Sequence, residues 1–563
     1  MSARTEGASP ILQVLRGFKR ELFWVAVFGF FSNLLMLTPT LYMMQVYDRV
    51  MLSGSQYTLA ALSLLALGLF AVMGFADWAR SRLLVRAGTR FDLLLQRQVF
   101  SAAFEERLRA LGSSGTQPMN DLTALRQFLT GNGIFAAVDT PWMVIYSAVL
   151  FLMHPWLGYC ALAFVVISLL VAAIGNRMVA PQHERVQKSQ AESQDFLSAK
   201  LRNAETVEAF GMLKHLRRRW LSIHDEHRRQ HERGHEVAHR MQATIKFVQY
   251  AQQSASLAVG ALLAIDGRIS SGAMLACNAL MGNALRPIGL FVQSWGQAVE
   301  ARAAYRRLSK LLTEHPAREG REDVAALTGQ ISLRGLVASA PGRKEPILKG
   351  LDVDFVAGEV VAIAGPSGAG KSTLARCLLG IWPDVKGQVL LDGTPIQDWS
   401  REAIGSHLGY LPQDIEMFDG SIADNISRFE DDQEQQVIEA ATRTGIHDMV
   451  LRLPKGYDTP MGEAGATMSG GQRQRIGLAR AIVGDPLVVV LDEPNANLDD
   501  VGTSALLKTV RDLKSRGRTV FMIVHQPQLL RVADRLLVLD NGRVAQFGTI
   551  KFEAPASKEA SSA

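Results

Sequence analysis

Long apolar runs without a charged residue, crowded into the first 300 positions, constrain the fold of this chain more than any other feature. Residues 22–47, 57–76, 155–176 and 247–265 are four such runs. A helix needs about 20 mostly apolar residues to cross the hydrocarbon core of a bilayer. Uncharged runs of this length are rare in water-soluble domains, so each run predicts a membrane-spanning helix.

Two further apolar runs each carry one ionisable side chain. Residues 134–153 include Asp139, and residues 269–299 include Arg286. With these runs the sequence predicts six spans. An ionised group that faces lipid costs several kcal/mol, so both are expected to face the bundle interior or a polar cavity. One interpretation makes them the lining of a translocation path. The other places them near the cytoplasmic interface, with a partner or with access to water.

Basic residues orient the predicted spans. The connections before the third and fifth spans are long and rich in arginine, whereas the opposite connections contain only Arg49 and Arg268 as basic residues. Because basic residues concentrate on the cytoplasmic side, both termini and both long connections are predicted to be cytoplasmic. The long connections are helical in pattern and should turn back near residues 112–121 and 203–211. Their arginines include Arg80, Arg82, Arg86, Arg90 and Arg97 in the first, and Arg217, Arg218, Arg219, Arg228 and Arg229 in the second.

Four histidines lie four residues apart on the predicted helix that enters the fifth span: His227, His231, His235 and His239. Histidines at this spacing can share a metal ion. Their arginine and glutamate neighbours also fit an ordinary solvated face, and one helix supplies few of the ligands that tetrahedral zinc needs. The solvated face is therefore the favoured interpretation, and a metal site is the alternative.

A phosphate-binding loop follows a short apolar strand predicted at residues 360–364. The loop matches the pattern G-x-x-x-x-G-K-[ST], in which glycines let backbone N–H groups close around the β- and γ-phosphates of a nucleotide. Lys371 adds a positive charge, Ser372 is a predicted ligand of Mg²⁺, and the following helix presents its positive end. The loop comprises Gly365, Pro366, Ser367, Gly368, Ala369, Gly370, Lys371, Ser372 and Thr373.

Two acidic residues end a second apolar strand, predicted at residues 487–491. Asp492 suits a carboxylate that holds Mg²⁺. The adjoining Glu493 suits a general base that polarises an attacking water. Two acids after a strand can also cap a helix, but the phosphate-binding loop favours the hydrolytic interpretation.

Five motifs in a fixed order resemble those of the ATPase domains of ABC transporters. Besides the loop and the Asp-Glu pair, Met468-Ser-Gly-Gly-Gln-Arg-Gln-Arg resembles the ABC signature. Gln413 resembles the glutamine of the Q-loop, and Asn497-Leu-Asp499 resembles the D-loop. His525 follows a strand predicted at 520–524, as the switch histidine does. The resemblance implies an α-helical transmembrane domain of six spans fused to an α/β P-loop nucleotide-binding domain.

The same resemblance implies a mechanism. Two ATPase domains bind head to tail, and each ATP lies between the phosphate-binding loop of one subunit and the signature of its partner. Gln413 senses Mg²⁺ as a further ligand, and His525 contacts the γ-phosphate. A chain with one such domain is therefore expected to form a homodimer with two competent sites. Ser469, Gly470 and Gly471 are assigned to the γ-phosphate held by the partner, and Gln472 and Asp499 are further candidates for nucleotide binding.

The expected domains follow from these features. A cytoplasmic segment covers residues 1–20, the membrane domain with its cytoplasmic helical extensions covers 21–313, and the ATPase domain covers 331–550. Residues 314–330 are polar and contain proline and glycine, which marks a linker. The small polar tail, 551–563, is expected to be disordered. Residues 336–343 contain no aromatic ring to stack on adenine, as many ABC exporters have there.

From about residue 17 to residue 548, the chain resembles the type I secretion ABC transporters of the alkaline-protease and lipase exporter group. The resemblance implies an inner-membrane ATPase that exports unfolded proteins with an uncleaved C-terminal signal, such as proteases, lipases and calcium-binding repeat proteins. A periplasmic adaptor (membrane fusion protein) and an outer-membrane channel are the implied partners, with membrane lipid around the spans. The segments that carry the resemblance are 41–50, 139–142, 154–158, 203–212, 381–383 and 493–499.

Three alternatives are weighed against this interpretation. A lipid, glycan or small-molecule exporter of the same architecture would have identical ATPase chemistry. A regulatory half of a heterodimer is disfavoured because the hydrolytic residues are complete. A soluble ABC ATPase that acts on nucleic acid is disfavoured by the apolar runs. The formal charge of +6 also forms no basic stripe, so no nucleic-acid partner is expected.

Overall fold

The computed structural model describes residues 10–109, 117–201, 203–316, 320–324, 327–340, 345–462, 465 and 468–550. The chain divides into two compact units. One contains residues up to 106 and residues 113–317, and the other contains the remainder. The tail predicted to be disordered, 551–563, and positions 1–9 of the predicted N-terminal segment lie outside the described residues.

The first unit is built from helices throughout its described residues. The longest, α5, α8 and α10, have 54, 47 and 53 residues. At 1.5 Å per residue each measures about 70–80 Å, far more than the bilayer core needs. The helices are α1 Pro10–Arg16, α2 Lys19–Leu35, α3 Thr38–Gln45, α4 Met51–Ser53, α5 Gln56–Arg109, α6 Gln117–Thr130, α7 Asn132–Met153, α8 Pro155–Leu201, α9 Ala204–Ala209, α10 Leu213–Ile265, α11 Ser271–Gln293 and α12 Trp295–Glu314, with a π-helix over Val46–Val50.

Five helical segments of the described chain are long and apolar enough to cross a membrane. The predicted fifth span, 247–265, forms the end of α10 but does not meet the same composition limit. Its glutamines Gln249, Gln252 and Gln253 lower its hydropathy. The count of six spans therefore stays a prediction. The five segments are Lys19–Ser53, Gln56–Leu108, Gln117–Met153, Pro155–Leu201 and Ser271–Gln293.

The two predicted turns differ in how much of them the structure describes. Residues 110–116 of the first turn lie outside the described chain, and the turn ends earlier than predicted because α6 already begins at Gln117. The second turn contains the short helix α9. It continues through Gly211, whose φ of +59° lies in the left-handed region that glycine adopts without strain.

The π-helix ties the first long helical segment to α11. Asp48 in this π-helix accepts a hydrogen bond from the backbone N–H of Gly272 at 2.9 Å and another from the Ser270 hydroxyl. A Cβ atom at position 272 would lie 2.7 Å from the Asp48 carboxylate, so glycine is required for this approach. The segment 41–50, on which part of the family resemblance rests, therefore has a packing role.

The second unit contains two sheets. A four-stranded antiparallel sheet has the order β2-β1-β4-β5, and a six-stranded sheet has the order β10-β9-β3-β8-β7-β6. In the larger sheet the neighbours from β9 to β6 are parallel, and buried aliphatic side chains cover both faces. The strands are β1 Ile331–Ser339, β2 Pro346–Phe355, β3 Val360–Ala364, β4 Val385–Leu391, β5 Thr394–Pro395, β6 Leu408–Leu411, β7 Val488–Asp492, β8 Thr519–Ile523, β9 Arg535–Asp540 and β10 Arg543–Thr549.

Helices pack on the faces of the larger sheet and around the strands. The two that matter for the site are α13, which follows β3, and α18, which precedes β7. The helices of this unit are α13 Lys371–Leu378, α14 Arg401–Gly405, α15 Ile422–Ser427, α16 Glu434–Arg443, α17 His447–Leu451, α18 Gly470–Ile482, α19 Asp500–Ser515 and α20 Pro527–Leu530.

Candidate active site

Four neighbouring parallel strands end at one edge of the larger sheet, in the order β3-β8-β7-β6. The phosphate-binding loop follows β3, and His525 follows β8. Asp492 is the last residue of β7, and Gln413 lies two residues beyond β6. Ligands of open parallel sheets bind at the carboxyl ends of the strands. The topology therefore brings together residues that are up to 160 positions apart in the sequence.

The phosphate-binding loop connects β3 directly to α13, as predicted. Gly365 and Gly370 have backbone φ values of +146° and +99°, which residues other than glycine rarely adopt. A Cβ at position 365 would also lie 2.2 Å from the carbonyl oxygen of Leu539. The ammonium of Lys371 donates hydrogen bonds to the carbonyls of Gly365 at 2.9 Å and Pro366 at 3.0 Å. The lysine thus bends back over its own loop, with its charge held at the opening.

Ser372 and Asp492 form the part of the site that suits a hard cation. The Ser372 hydroxyl donates to the Asp492 carboxylate at 3.3 Å. Asp492 is only 1% exposed, and this burial raises the pKa of its carboxyl group although the hydrogen bond from Ser372 opposes the shift. A buried carboxylate with one hydroxyl beside it is an oxygen donor set of the kind Mg²⁺ prefers. The residues therefore fit the predicted magnesium site.

Glu493 lies between the glutamine and the histidine that were predicted to act with it. Its carboxylate accepts a hydrogen bond from Gln413 Nε2 at 3.2 Å, and His525 Nε2 lies 3.1 Å from its other oxygen. The Glu493 side chain is 27% exposed, so water can reach it. Its backbone has a φ of +50°, an uncommon conformation for glutamate that marks a sharp turn after β7. This arrangement suits a base that meets a water molecule.

The signature and D-loop residues cap helices in the single chain. The Ser469 hydroxyl accepts from the backbone N–H of Gln472 at 3.3 Å, and the Gln472 side chain accepts from the Ser469 N–H at 2.9 Å. This reciprocal capping box begins α18. Asp499 begins α19 by accepting from Gly502 at 2.7 Å. Among the described residues, neither Ser469 nor Asp499 hydrogen-bonds the phosphate-binding loop of its own subunit.

The sequence analysis did not predict two side-chain contacts of this unit, one made by Gln474 and one by Trp382. Gln474, inside the signature motif, is buried and donates to the carbonyl of Pro494 at 3.0 Å, which fixes α18 to the turn after Glu493. Trp382 donates from its indole nitrogen to the carbonyl of Ser339 at 2.9 Å, within the stretch 336–343 that contains no aromatic residue of its own. The position of Gln474 within the signature motif could have suggested that it supports the site. Only the fold brings the tryptophan to this strand.

Family comparisons agree with this geometry. Residues 348–496 match the ABC transporter family, and residues 22–287 match the ABC transporter transmembrane region. The type I secretion system ATP-binding protein PrsD of Rhizobium meliloti (strain 1021) is 38% identical over 536 residues, which cover 95% of this chain and 92% of that protein. The chain belongs to the type I secretion ABC transporters.

More distant relatives carry related names. The cyclolysin secretion/processing ATP-binding protein CyaB of Bordetella pertussis is 28% identical and aligns over 91% of this chain and 73% of its own. The alpha-hemolysin translocation ATP-binding protein HlyB of Escherichia coli O157:H7 is also 28% identical, over 95% and 76%. A solved bacterial Atm1-family ABC exporter with ATP bound has a TM-score of 0.78 at 23% identity, over 94% of this chain and 95% of its own, which shows the fold.

These findings confirm several predictions. The ABC transporter has a helical transmembrane domain fused to an α/β nucleotide-binding domain, as expected. It is an ATPase that binds ATP and a multi-pass protein of the inner membrane. The finer resemblance to the alkaline-protease and lipase group stays a prediction, as do the roles of individual site residues.

The two ionisable residues of the transporter's predicted spans have different surroundings. Asp139 is 7% exposed, accepts from Asn33 at 2.7 Å and pairs with Arg80 at 3.2 Å. Arg80 also pairs with Asp77 at 3.1 Å, so the network joins α2, α5 and α7. Arg286 is exposed and donates to the sulfur of Met36 at 3.2 Å. Asp139 thus has a packing role, whereas Arg286 does not.

The histidine row forms a ladder of rings along α10. The rings of His231 and His235 are 4.3 Å apart between centroids, and His227 contacts the Ser189 hydroxyl of α8 at 3.1 Å. Arg228 pairs with Glu232 on the same helix. In the part of the chain that the structure describes, no group of three or more His, Cys, Asp or Glu residues is placed to hold a metal. The surroundings favour the solvated face over the metal site.

Proposed function

We propose that this ABC transporter is the ATP-hydrolysing inner-membrane component of a type I secretion system. In this proposal it exports unfolded proteins with a C-terminal signal from the cytoplasm, through a periplasmic adaptor and an outer-membrane channel. The observation that carries the proposal is the 38% identity with a type I secretion ATP-binding protein over 95% of this chain. The sequence similarity extends over nearly the whole length, so it includes the membrane spans through which cargo passes.

Phosphate binding is assigned to the loop from Gly365 to Thr373. Its backbone N–H groups and the positive end of α13 face the β- and γ-phosphates. Lys371 supplies a positive charge that neutralises the transferred group. Because Lys371 is held by carbonyls of its own loop, it needs only a short movement to exchange them for phosphate oxygens.

Mg²⁺ would be held by Ser372, Gln413 and Asp492. The bound ion would neutralise charge that develops on the phosphates. The buried carboxylate of Asp492 has an unfavourable desolvation that a divalent cation relieves. The amide of Gln413 also donates a hydrogen bond to Glu493. Gln413 would therefore couple the binding of Mg²⁺ to the residue that activates water.

Hydrolysis is assigned to Glu493 and His525. Glu493 accepts the proton of the attacking water as general base, with its carboxylate oriented by Gln413 on one side and His525 on the other. His525 also contacts the γ-phosphate in this proposal.

The active unit is a homodimer in this proposal. Ser469, Gly470, Gly471 and Gln472 lie at the N-terminus of α18, where a helix presents N–H groups and positive partial charge. They would contact the γ-phosphate held by the partner's loop, with Asp499 beside them. This completes each site from two subunits, which explains why Ser469 and Asp499 do not reach the loop of their own chain.

Cargoes of protease, lipase or calcium-binding repeat type follow from the resemblance to the alkaline-protease and lipase exporter group. The rival proposal of a lipid, glycan or small-molecule exporter has no comparable support, because the relatives named above are secretion and translocation ATP-binding proteins. A regulatory half-transporter is disfavoured by the complete set of hydrolytic residues.

The test measures ATP hydrolysis by the purified dimer in lipid vesicles while C-terminal peptides of candidate cargoes are titrated. Candidates are proteins encoded near the transporter that carry glycine- and aspartate-rich repeats. We expect a saturable change in rate with a native C-terminal peptide and none with its scrambled version. If no peptide changed the rate and lipids or small amphiphiles stimulated it, the results would favour a lipid, glycan or small-molecule exporter.

A further inference from the structure

α11 differs from the other long apolar helices in the face that it turns away from the bundle. Ten of its 23 residues are buried, and the less buried positions recur every three or four residues. Among these positions are Asn278, Gly282, Asn283, Arg286 and Gly289, and the stripe ends at Gln293. We call these residues the α11 stripe. They are small or polar, but Leu275, Ala279 and Leu290 lie half-buried on the same face, and Phe291 on another face is 40% exposed.

The outward faces of α5 and α8 show what a lipid-facing surface of this protein contains. Leu64 and Leu65 of α5 are 73% and 61% exposed, and Leu170 and Ile174 of α8 are 58% and 56% exposed. Bulky aliphatic side chains of this kind match hydrocarbon. The face of α11 that contains Arg286 has fewer bulky aliphatic side chains and more polar ones, which favours water or polar protein as its surroundings.

Arg286 is the charged member of the stripe. Its hydrogen bond goes to the thioether of Met36, and among the described residues it forms no ion pair. The nearby carboxylate of Asp139 is already engaged by Arg80 and Asn33. Arg286 lies 15 positions after Ser271, or about 22 Å along the helix, which is within a hydrocarbon core of about 30 Å. A guanidinium without an ionic partner in a membrane span is costly in lipid, which favours contact with water or polar protein.

We propose that Arg286 and its copy in the second subunit line the translocation path, where they favour segments of the exported chain that carry carboxylates. The inference rests on the proposed function, because it names a chemical preference of the exported polypeptide. A guanidinium offers bidentate hydrogen bonds to Asp and Glu side chains. Narrow walls of low dielectric strengthen that attraction above its value in bulk water.

The small residues of the stripe fit the same role. Gly282 lies one turn before Arg286 and Gly289 lies one turn after it, and no heavy atom comes within 4 Å of a Cβ built at position 282. Room around the charge lets an extended polypeptide approach the guanidinium. The amides of Asn278 and Asn283 offer hydrogen bonds to a passing backbone. Such groups accept many sequences, while the arginine adds a preference for negative charge.

The first experiment uses the unmodified transporter with its adaptor and channel. Two cargoes share one C-terminal signal and differ in a passenger segment, which carries aspartates in one and asparagines in the other. Wild-type protein should export the acidic cargo faster, and Arg286→Gln should lower that rate about tenfold while the neutral cargo changes little. Arg286→Lys should retain most of the preference. Arg268→Gln, which removes an exposed arginine at the end of the preceding connection, is the matched control.

A second measurement tests the aqueous environment directly. Arg286→Cys, in a background in which Cys160, Cys277 and Cys377 are replaced by serine, should react with a charged, membrane-impermeant thiol reagent. Leu64→Cys, on the lipid-facing side of α5, should not. The inference would be overturned if the Arg286→Cys thiol did not react with this reagent. It would also be overturned if a cross-linker at position 286 attached mainly to lipid.

The outcomes separate this inference from the proposed function. Equal export of the two cargoes by wild-type protein overturns the charge preference but leaves protein export intact. Failure to export either cargo overturns the proposed function itself. If Arg286→Gln does not fold, the export rates of the two cargoes by wild-type protein still show whether the transporter prefers the acidic cargo.

Discussion

Two carboxylates, Glu493 in the ATPase unit and Asp139 in the membrane unit, are each bonded by two side chains from other elements. Glu493 has Gln413 and His525 as partners, and Asp139 has Asn33 and Arg80. The difference is in solvent access, because the Glu493 side chain is 27% exposed whereas Asp139 is buried. Hydrogen bonds alone therefore do not distinguish an acid that performs chemistry from an acid that holds helices together.

Access to water is what separates the two. A general base must reach the proton that it takes, and Glu493 lies at the open edge of the sheet. A buried charge must be compensated permanently, and Asp139 is compensated by a guanidinium and an amide. Removing Glu493 should change a rate, and removing Asp139 should change the stability of the fold.

The largest effect is expected from Glu493→Gln. The amide keeps the size of the side chain but does not accept a proton, so hydrolysis should fall by about 10²–10⁴-fold while ATP binding and closure of the dimer persist. Phosphate release and nucleotide binding by the purified dimer measure the two properties. Glu430→Gln, at an exposed acid of the same unit, should leave both unchanged. Turnover near the wild-type rate would remove Glu493 from the role of base.

Asp139→Ala should act on stability instead. It leaves the buried guanidinium of Arg80 with Asp77 as its ionic partner and the ring of Phe135 beside it, and the loss of a partner from a buried pair costs about 3 kcal/mol. The thermal midpoint of the detergent-purified dimer should drop, while hydrolysis per folded molecule is retained. Asp77→Asn, which alters the more exposed partner of the same arginine, should cost less. A normal thermal midpoint together with lost hydrolysis would contradict the packing role of Asp139.

Asp121 and Arg307 extend the comparison to the helices at the cytoplasmic side. Asp121 is buried and accepts two hydrogen bonds from Arg307, at 2.7 and 2.8 Å, and one from Gln117. Asp121→Asn weakens this bidentate pair between α6 and α12, and should cost about 2 kcal/mol. Thermal unfolding of the intact dimer measures the cost. Lys310→Ala, an exposed residue one turn along α12, should leave the midpoint unchanged.

The smallest expected change in stability, and the sharpest test, concerns Asp492. This acid is buried as Asp139 is, but a functional role is proposed for it, as for Glu493. Because burial raises the pKa of its carboxyl in the folded state, its ionisation opposes folding, and the opposition grows as the pH rises through that pKa.

Asp492→Asn should therefore raise the stability of the nucleotide-free protein at neutral pH by about 1 kcal/mol. The gain should shrink as the pH is lowered and the wild-type carboxyl becomes protonated. Unfolding curves at several pH values check the sign, and magnesium-dependent ATP binding should be lost in the same variant. Lower stability at neutral pH would show that Ser372 and nearby cations outweigh the desolvation of the carboxylate.

Local motifs made the ATPase site largely predictable. The strand predicted at 360–364 has those bounds, and the strands predicted at 487–491 and 520–524 are displaced by one residue. Short buried apolar runs next to glycine or acid leave few alternatives to a central parallel strand. Gln413, Glu493 and His525 follow such strands, so their convergence follows from the topology. Their individual roles remain proposals.

Contacts in the membrane unit depend on packing that sequence patterns do not encode. Asp139 is an obvious candidate as a charge in an apolar run, but its partners Asn33 and Arg80 are 106 and 59 positions away. Hydropathy does not specify which faces of helices meet. The apolar stretch 247–265 shows the same limit, because its glutamines make its membrane crossing uncertain from composition, although it continues a 53-residue helix.

The capping box of α18 has a consequence for the proposed dimer. A hydroxyl has two lone pairs and one proton, and Ser469 uses a lone pair to begin its own helix. Its proton stays available to the other subunit, so folding and recognition share one oxygen atom without competing for it. Ser469→Asp would keep the cap but place a negative charge against phosphate. Such a chain would fold normally and fail only when two copies close on ATP.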